Sequence, residues 1–409
     1  MSKRALYALI LCGSLIAELL GSASAYQTYI NFLYRFVVLG AAIALLPLTR
    51  GFVRSLARSI LLPAIYVATF MLVSYYGVNF AFSVKYRVLL MPVLLVDFAI
   101  WFAAGYYVTE KQFLKYFAMT ACLFGLGSLA FAASGLIDPE QTRVIYGVDL
   151  PLAMPVAVMS GGVFIGGVIL FLSLLSLKKT VVACTLIGFA SAYALKKFGG
   201  LDTWSNKSRV SSAFHAILRS PALGVLLLAV ACGLLAYRFL PYLAATYERF
   251  SVEGEDITRL AALAEFLRLV KEYFPVGTGY YTFAYLTADT LPYYTFTAAG
   301  DEIGDGMPLH NTYMHFVLEG GLPILIVVGF MYARFALIVR RLYSARASRP
   351  LGIVMISWIV ICIVFAMLQQ FHATRYFFGI LGYGFGAYAR YRIAATRPAA
   401  VSNALCAGT

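Results

Sequence analysis

Hydrophobic residues run through this chain in long unbroken blocks, separated by short polar stretches rich in arginine and lysine. The blocks fall near residues 6–22, 29–48, 59–76, 88–108, 113–136, 151–177, 180–196, 222–241, 312–339, 351–370 and 373–390. About 20 apolar residues cross a bilayer as a helix. Strands of a membrane barrel would alternate over about 10 residues, and blocks such as 223–235 and 353–365 do not alternate. The pattern predicts an all-α, polytopic integral membrane protein.

Charge in the connections orients these spans, because cytoplasmic loops collect Lys and Arg. Lys3 and Arg4, then Arg50, Arg54 and Arg58, then Lys111, Lys115, Lys178 and Lys179 mark inner connections. Arg340, Arg341, Arg346 and Arg349 mark another, and Arg390, Arg392 and Arg397 place the C-terminus inside. Two inner termini require an even number of crossings, and the apolar blocks number eleven. The polar segment 203–219 is the expected twelfth, lined by other helices rather than lipid. Lys196 and Lys197 then fall on the outer side. Lys3-Arg4, the first apolar block and Ala23-Ser24-Ala25 resemble a cleavable signal peptide. With so many spans following, retention is expected.

The long connection 242–309 holds ten acidic and four basic residues, in a chain with 18 acidic residues in all. It is expected to face away from the cytoplasm. The chain therefore divides into a transmembrane bundle (1–241), a periplasmic loop domain (242–309) and C-terminal helices with a cytoplasmic tail (310–409). Within the loop, Leu260, Leu263, Leu267, Val270 and Phe274 recur at helical spacing. They predict an amphipathic helix over 257–274 with Asp256 as N-cap. Pro275, Gly277 and Gly279 should end it in a tight turn. Tyr280, Tyr281, Phe283, Tyr285, Tyr293, Tyr294 and Phe296 follow, either stacking on sugar rings or forming an interfacial aromatic belt.

Composition agrees with a membrane setting: 62% of the 409 residues are hydrophobic and 12% charged, with mean hydropathy +0.83. A soluble domain carries about 25% charged residues. The net charge of +14 sits in interhelical loops and accompanies no nucleic-acid motif, so no nucleic-acid partner is expected. The six cysteines include no CxxC pair, and all but Cys406 lie in apolar blocks. They read as small membrane-helix residues rather than metal ligands or a disulfide framework.

Polar chemistry gathers around the loop. Ser208-Arg209 opens the polar segment, Arg259 lies in the first turn of the loop helix, and His310-Asn311 stands where the chain re-enters the membrane. Tyr313, Glu319 and Gly320-Gly321 follow. The run 310–321, HNTYMHFVLEGG, resembles the signature of the O-antigen ligase and polymerase superfamily: HN, an aromatic residue two positions on, then Glu and Gly. The loop helix, with Thr258-Arg259-Leu260 at one end and Phe274-Pro275-Val276-Gly277-Thr278-Gly279 at the other, is similar to the family's Arg-led helix closed by a Pro-Gly-Gly turn. Ser208-Arg209 resembles its SR motif. The likeness covers about 205–325 by motif and the whole chain by topology. The turn is one residue shorter than the family's, Leu263 stands where Trp is common, and Ile324 where Gly is usual.

The resemblance implies transfer of a glycan from undecaprenyl diphosphate to a hydroxyl of a second glycolipid, at the periplasmic face of the bacterial inner membrane. A ligase uses lipid A core as acceptor; a polymerase uses another undecaprenyl-linked repeat unit. Arg209 and Arg259 would bind the diphosphate, since a guanidinium fork matches phosphate oxygens and stays ionised. A helix N-terminus beside Arg259 adds N–H donors. His310 would be the general base that takes the acceptor proton. No metal or cofactor is expected. Asn311, Tyr313, Glu319 and Arg375 would support the site.

Each residue also has a plainer reading. His310 could cap a helix, Arg209 could anchor at the interface, and Arg259 could be a solvated charge. Arg375 and His372 could line the cavity or anchor at the interface. His315, on another face from His310, reads as structural. Glu319, nine residues on and about 13 Å deeper by helical rise, reads as the partner of a buried base. A lipid-linked oligosaccharide flippase is the competing function class, but no two related halves are visible. A mere scaffold leaves the motifs unexplained.

Overall fold

The computed structural model describes residues 2–12, 27–85, 88–133, 149–160, 162–175, 179–198, 254–290, 292–296, 302–306, 309, 311–345, 347–368 and 375–396. The helices are α1 (Lys3–Cys12), α2 (Gln27–Leu45), α3 (Arg50–Tyr76), α4 (Phe80–Lys85), α5 (Val93–Tyr107) and α6 (Glu110–Ala133). They continue as α7 (Asp149–Ser160), α8 (Val163–Leu175), α9 (Lys179–Phe198), α10 (Gly254–Tyr273) and α11 (Thr282–Leu286). After strands β1 (Pro292–Phe296) and β2 (Glu302–Gly306) come α12 (Thr312–Met314), α13 (Gly321–Ser344), α14 (Arg349–Leu368) and α15 (Arg375–Thr396).

Among the described residues, four helical stretches are long and apolar enough to cross a membrane: Arg50–Tyr76, Val88–Tyr107, Gly321–Ser344 and Arg349–Met367. Large apolar side chains stand on their outsides, Phe330 66% and Leu61 and Leu72 58% exposed. Such surface suits hydrocarbon rather than water. The expected crossings at 203–219 and 222–241 lie outside the described residues, as does the segment between α1 and α2.

The core is aromatic and centres on α5 and α15. Phe113 stacks on Tyr383 at 4.3 Å between centroids, and Trp358 and Phe117 close the cluster. The two helix backbones touch because glycines line the seam, the small-residue contact that membrane helices favour. A β-carbon on Gly382 would overlap the Phe98 carbonyl, and one on Gly386 the Phe102 carbonyl. Those pairs advance together, so α5 and α15 run parallel. At their common end Arg390 pairs with Glu110 at 2.6 Å and donates to the Val108 carbonyl. Gly386→Ala is expected to cost about 1–3 kcal/mol by overpacking, read as a lower thermal midpoint in detergent; an unchanged midpoint would contradict this seam.

Four features differ from the sequence pattern. The block 151–177 is not one span but an antiparallel pair. Gly166 of α8 faces Met154 and Ala157 of α7, and Gly188 of α9 faces Pro151 and Pro155 of α7. Periodicity could not show this because both arms and their junction are apolar or small. The block 312–339 is interrupted at Gly320-Gly321, and its continuous helix begins at Gly321. The loop helix starts at Gly254, so Asp256 lies within its first turn and is not its N-cap. Finally, the fold is helical as expected, but the loop carries one short antiparallel ribbon of β1 and β2, pairing Tyr294 with Gly304. The Tyr-Tyr-Thr-Phe run in β1 is rich in strand formers.

The apolar blocks also hid one charge pair. Arg35 of α2 meets Asp97 of α5, Nε to Oδ1 at 3.2 Å, with the aspartate side chain 7% exposed. Opposite charges placed in neighbouring apolar spans neutralise each other where solvation is poor.

Candidate functional site

The helix that follows Asn311 does not run on. Asn311 caps it, its Oδ1 accepting from the N–H groups of Tyr313 at 2.9 Å and Met314 at 3.2 Å. After α12 the chain widens into one π-helical turn, His315–Glu319. It then breaks at Gly321, whose φ of +62° suits glycine. A broken helix leaves carbonyls and N–H groups without partners, and here the turn after α10 supplies them. Thr278 and Gly279 donate their N–H groups to the Leu318 and Glu319 carbonyls at 2.9 and 3.0 Å, and Leu322 N–H donates to the Pro275 carbonyl at 2.8 Å. A β-carbon on Gly277, at φ +93°, would press on the Gly320 backbone. The turn and the break are thus built against each other.

Glu319 is the centre of this junction. It is fully buried, and its Oε2 lies 2.6 Å from His315 Nδ1. The same oxygen accepts from Tyr281 N–H at 2.7 Å, and Oε1 accepts from Phe283 N–H at 3.3 Å. Tyr281 has a left-handed backbone, φ 66°, which is rare outside glycine; the carboxylate holds it there. His315 Nε2 is 2.7 Å from the Leu309 carbonyl. A carbonyl only accepts, so Nε2 carries a hydrogen, and a further hydrogen lies between Nδ1 and Oε2.

The same turn is fastened to the bundle on its other side. Tyr280 N–H donates to Ser74 Oγ at 2.9 Å, Ser83 Oγ donates to the Tyr280 carbonyl at 2.8 Å, and Val78 N–H donates to the Thr278 carbonyl at 2.9 Å. Burial, aided by neighbouring Tyr281 and Glu319, pushes the Tyr280 phenol above its ordinary range, so it stays protonated. A small separate core lies under α10, formed by Phe266, Leu269, Phe283, Leu309 and Leu318.

Placed against the sequence expectations, Glu319 does pair with a buried histidine, but that histidine is His315 and not His310. Its depth below His310 does not follow from α-helical rise either, because the segment leading to Glu319 is a π-helical turn. The i,i+4 spacing of His315 and Glu319 was the available signal. Asn311 acts as a cap, and Tyr313 is half-buried against the main core. Tyr280 and Phe283 are buried and closed to a sugar, whereas Tyr285 is 44% exposed. Arg209, His310 and His372 lie outside the described residues. Arg259 is on α10 and Arg375 opens α15, but their side chains are also outside what is described. Leu309 and Asn311, on either side of position 310, are both fixed by hydrogen bonds. Among the described cysteines, Cys122, Cys184 and Cys362 are free thiols.

No protein-family model matches this chain, and a search of curated proteins finds no relative.

Proposed function

We propose that this chain is a membrane glycosyltransferase of the O-antigen ligase type, working at the periplasmic face of the bacterial inner membrane. It would move a glycan from undecaprenyl diphosphate to a hydroxyl of a lipid A core. The observation that carries the reading is the joining of two resemblance motifs: the Pro275–Gly279 turn that closes the Arg259 helix is hydrogen-bonded to the Leu318–Leu322 stretch of the His310 motif. A lone motif match is weak; two that fold against each other support one site.

In this reading the acceptor hydroxyl attacks the anomeric carbon opposite the diphosphate. The new C–O bond forms as the old one breaks, His310 takes the hydroxyl proton, and the diphosphate leaves with the electron pair. Arg259 and Arg209 meet the charge that grows on it. Asn311 and the His315–Glu319 pair hold the backbone around position 310, and inversion follows from a single displacement. Twelve crossings, inner termini and a periplasmic loop at 242–309 belong to the same proposal.

The test is transfer in proteoliposomes from an undecaprenyl diphosphate-linked repeat unit, with EDTA present. Lipid A core and a second repeat unit are offered as acceptors. Product on lipid A core is expected; product only on the repeat unit makes the chain a polymerase. Movement of the donor between leaflets without transfer would replace the enzyme reading by a transporter.

A further inference from the structure

We propose that the outer surface where α3 packs against α13, at the end where Arg390 meets Glu110, is a binding site for an anionic phospholipid, phosphate uppermost and acyl chains along the helices. The argument is independent of the transferase reading. On α3, Arg50, Arg54 and Arg58 recur every fourth residue on one helix face, and all three are exposed. Across this contact, Arg334 of α13 donates to the Arg58 carbonyl at 3.2 Å and lies over the Phe385 ring at 5.1 Å. Two turns on, Arg341 donates to Tyr388 Oη at 2.5 Å and lies over that ring at 5.7 Å.

Insertion bias alone explains basic loops, but it does not explain guanidinium groups laid on aromatic faces. Rings and carbonyls hold Arg334 and Arg341 in place while leaving their charge uncancelled. Among the described residues, the ion pairs of arginine are Arg35–Asp97, Arg268 with Glu265 and Glu272, and Arg390–Glu110. None of them neutralises Arg58, Arg334 or Arg341. A phosphate diester supplies the missing negative charge and accepts from several forks at once. Basic pockets between membrane helices hold anionic headgroups for this reason.

The surface below the arginines is apolar. Leu61 and Ile65 continue the Arg58 face of α3, 58% and 40% exposed, and Phe330 lies one turn from Arg334 on α13, 66% exposed. Charge above and hydrocarbon below match a lipid rather than a free phosphate or a soluble anion. Positive charge marks the cytoplasmic leaflet, so the ligand is a lipid of that leaflet.

The purified full-length chain in detergent would be titrated with phosphatidylglycerol or with phosphatidylcholine of the same acyl chains. Bound lipid would be counted by native mass spectrometry. The wild type should retain phosphatidylglycerol roughly tenfold better or more, since each arginine near an anionic lipid contributes appreciably. Arg58→Gln with Arg334→Gln should abolish that preference. Lys197→Gln with Lys271→Gln, which removes the same charge elsewhere, should keep it. Equal retention of the two lipids by the wild type overturns the proposal, and so does an unchanged preference in the arginine variant. If that double variant does not stay monodisperse, Arg54→Gln takes its place, with a weakened preference expected and an unchanged one overturning the site. Glycerol phosphate, which has the headgroup charge without chains, should not displace the lipid at equal concentration; if it does, the site is a plain anion site.

Discussion

His310→Ala is expected to lower glycan transfer by about 10²–10⁴-fold, the usual contribution of a general base, without unfolding the protein. The residue stands between two anchored neighbours. Leu309 is buried with its carbonyl bonded to His315, and Asn311 caps α12. Neither anchor uses the side chain at position 310, so removing the imidazole should leave the surrounding backbone in place. The loss should therefore fall on kcat, with KM for the lipid-linked donor little changed, because a base acts on the acceptor proton in the transition state. Single-turnover transfer with saturating donor, together with the thermal midpoint of wild type and variant, checks both statements. Wild-type turnover in the variant would remove His310 from the mechanism. A collapsed midpoint would make it a structural residue.

Glu319→Leu should be among the most destabilising single changes in the chain, costing about 3–5 kcal/mol. Each buried polar group left without its partner costs about 1–3 kcal/mol. The substitution strands three groups at once: the His315 imidazole and the N–H groups of Tyr281 and Phe283. Glu319→Gln separates geometry from size. Its oxygen can replace one carboxylate oxygen, but its NH₂ must then face a donor that the other oxygen had satisfied. It should fall between Leu and the wild type. Unfolding titrations in mixed micelles give the order, and a loss below about 1 kcal/mol for Leu, the scale of one ordinary hydrogen bond, would mean that the junction is held by backbone contacts alone. Transfer activity should fall with the same ranking, since the carboxylate holds the Tyr281 turn against the segment that leads into position 310.

Long apolar blocks are the most legible feature of such a chain, and α2, α9 and α14 lie close to where hydrophobicity placed them. Helix α3 instead begins at Arg50, so Arg50, Arg54 and Arg58, expected in the connection before a span at 59–76, stand on the helix itself. What hydropathy misses is any break made of residues that are themselves small or apolar. Gly320-Gly321 interrupts a block without adding charge, and the junction of α7 and α8 does the same. The Arg35–Asp97 pair was invisible for a related reason: one charge among many apolar neighbours barely changes a running average, and its partner is 62 positions away. At the site, Pro275, Gly277 and Gly279 announced a turn, and that turn forms. Its docking partner could not be read, because orphan carbonyls exist only once the helix break is known. The depth assigned to Glu319 failed for a related reason: spacing was converted to rise along an α-helix, and the chain from His315 to Glu319 is a π-helical turn.

The parallel packing of α5 against α15 bears on how the chain threads a bilayer. Two neighbouring strokes that travel the same way must be separated by an odd number of passes. The apolar blocks between them number six: 113–136, 151–177, 180–196, 222–241, 312–339 and 351–370. If each block crosses once, six would turn α15 around, and the proposed topology then requires one further reversal of direction in that interval. The polar stretch 203–219 was the first claimant. The α7–α8 hairpin is a second, because it divides one block into two opposed arms. Which of the two supplies the reversal fixes the face of the membrane to which Arg209 belongs, and cysteine labelling at Lys197 from outside intact cells would read it directly.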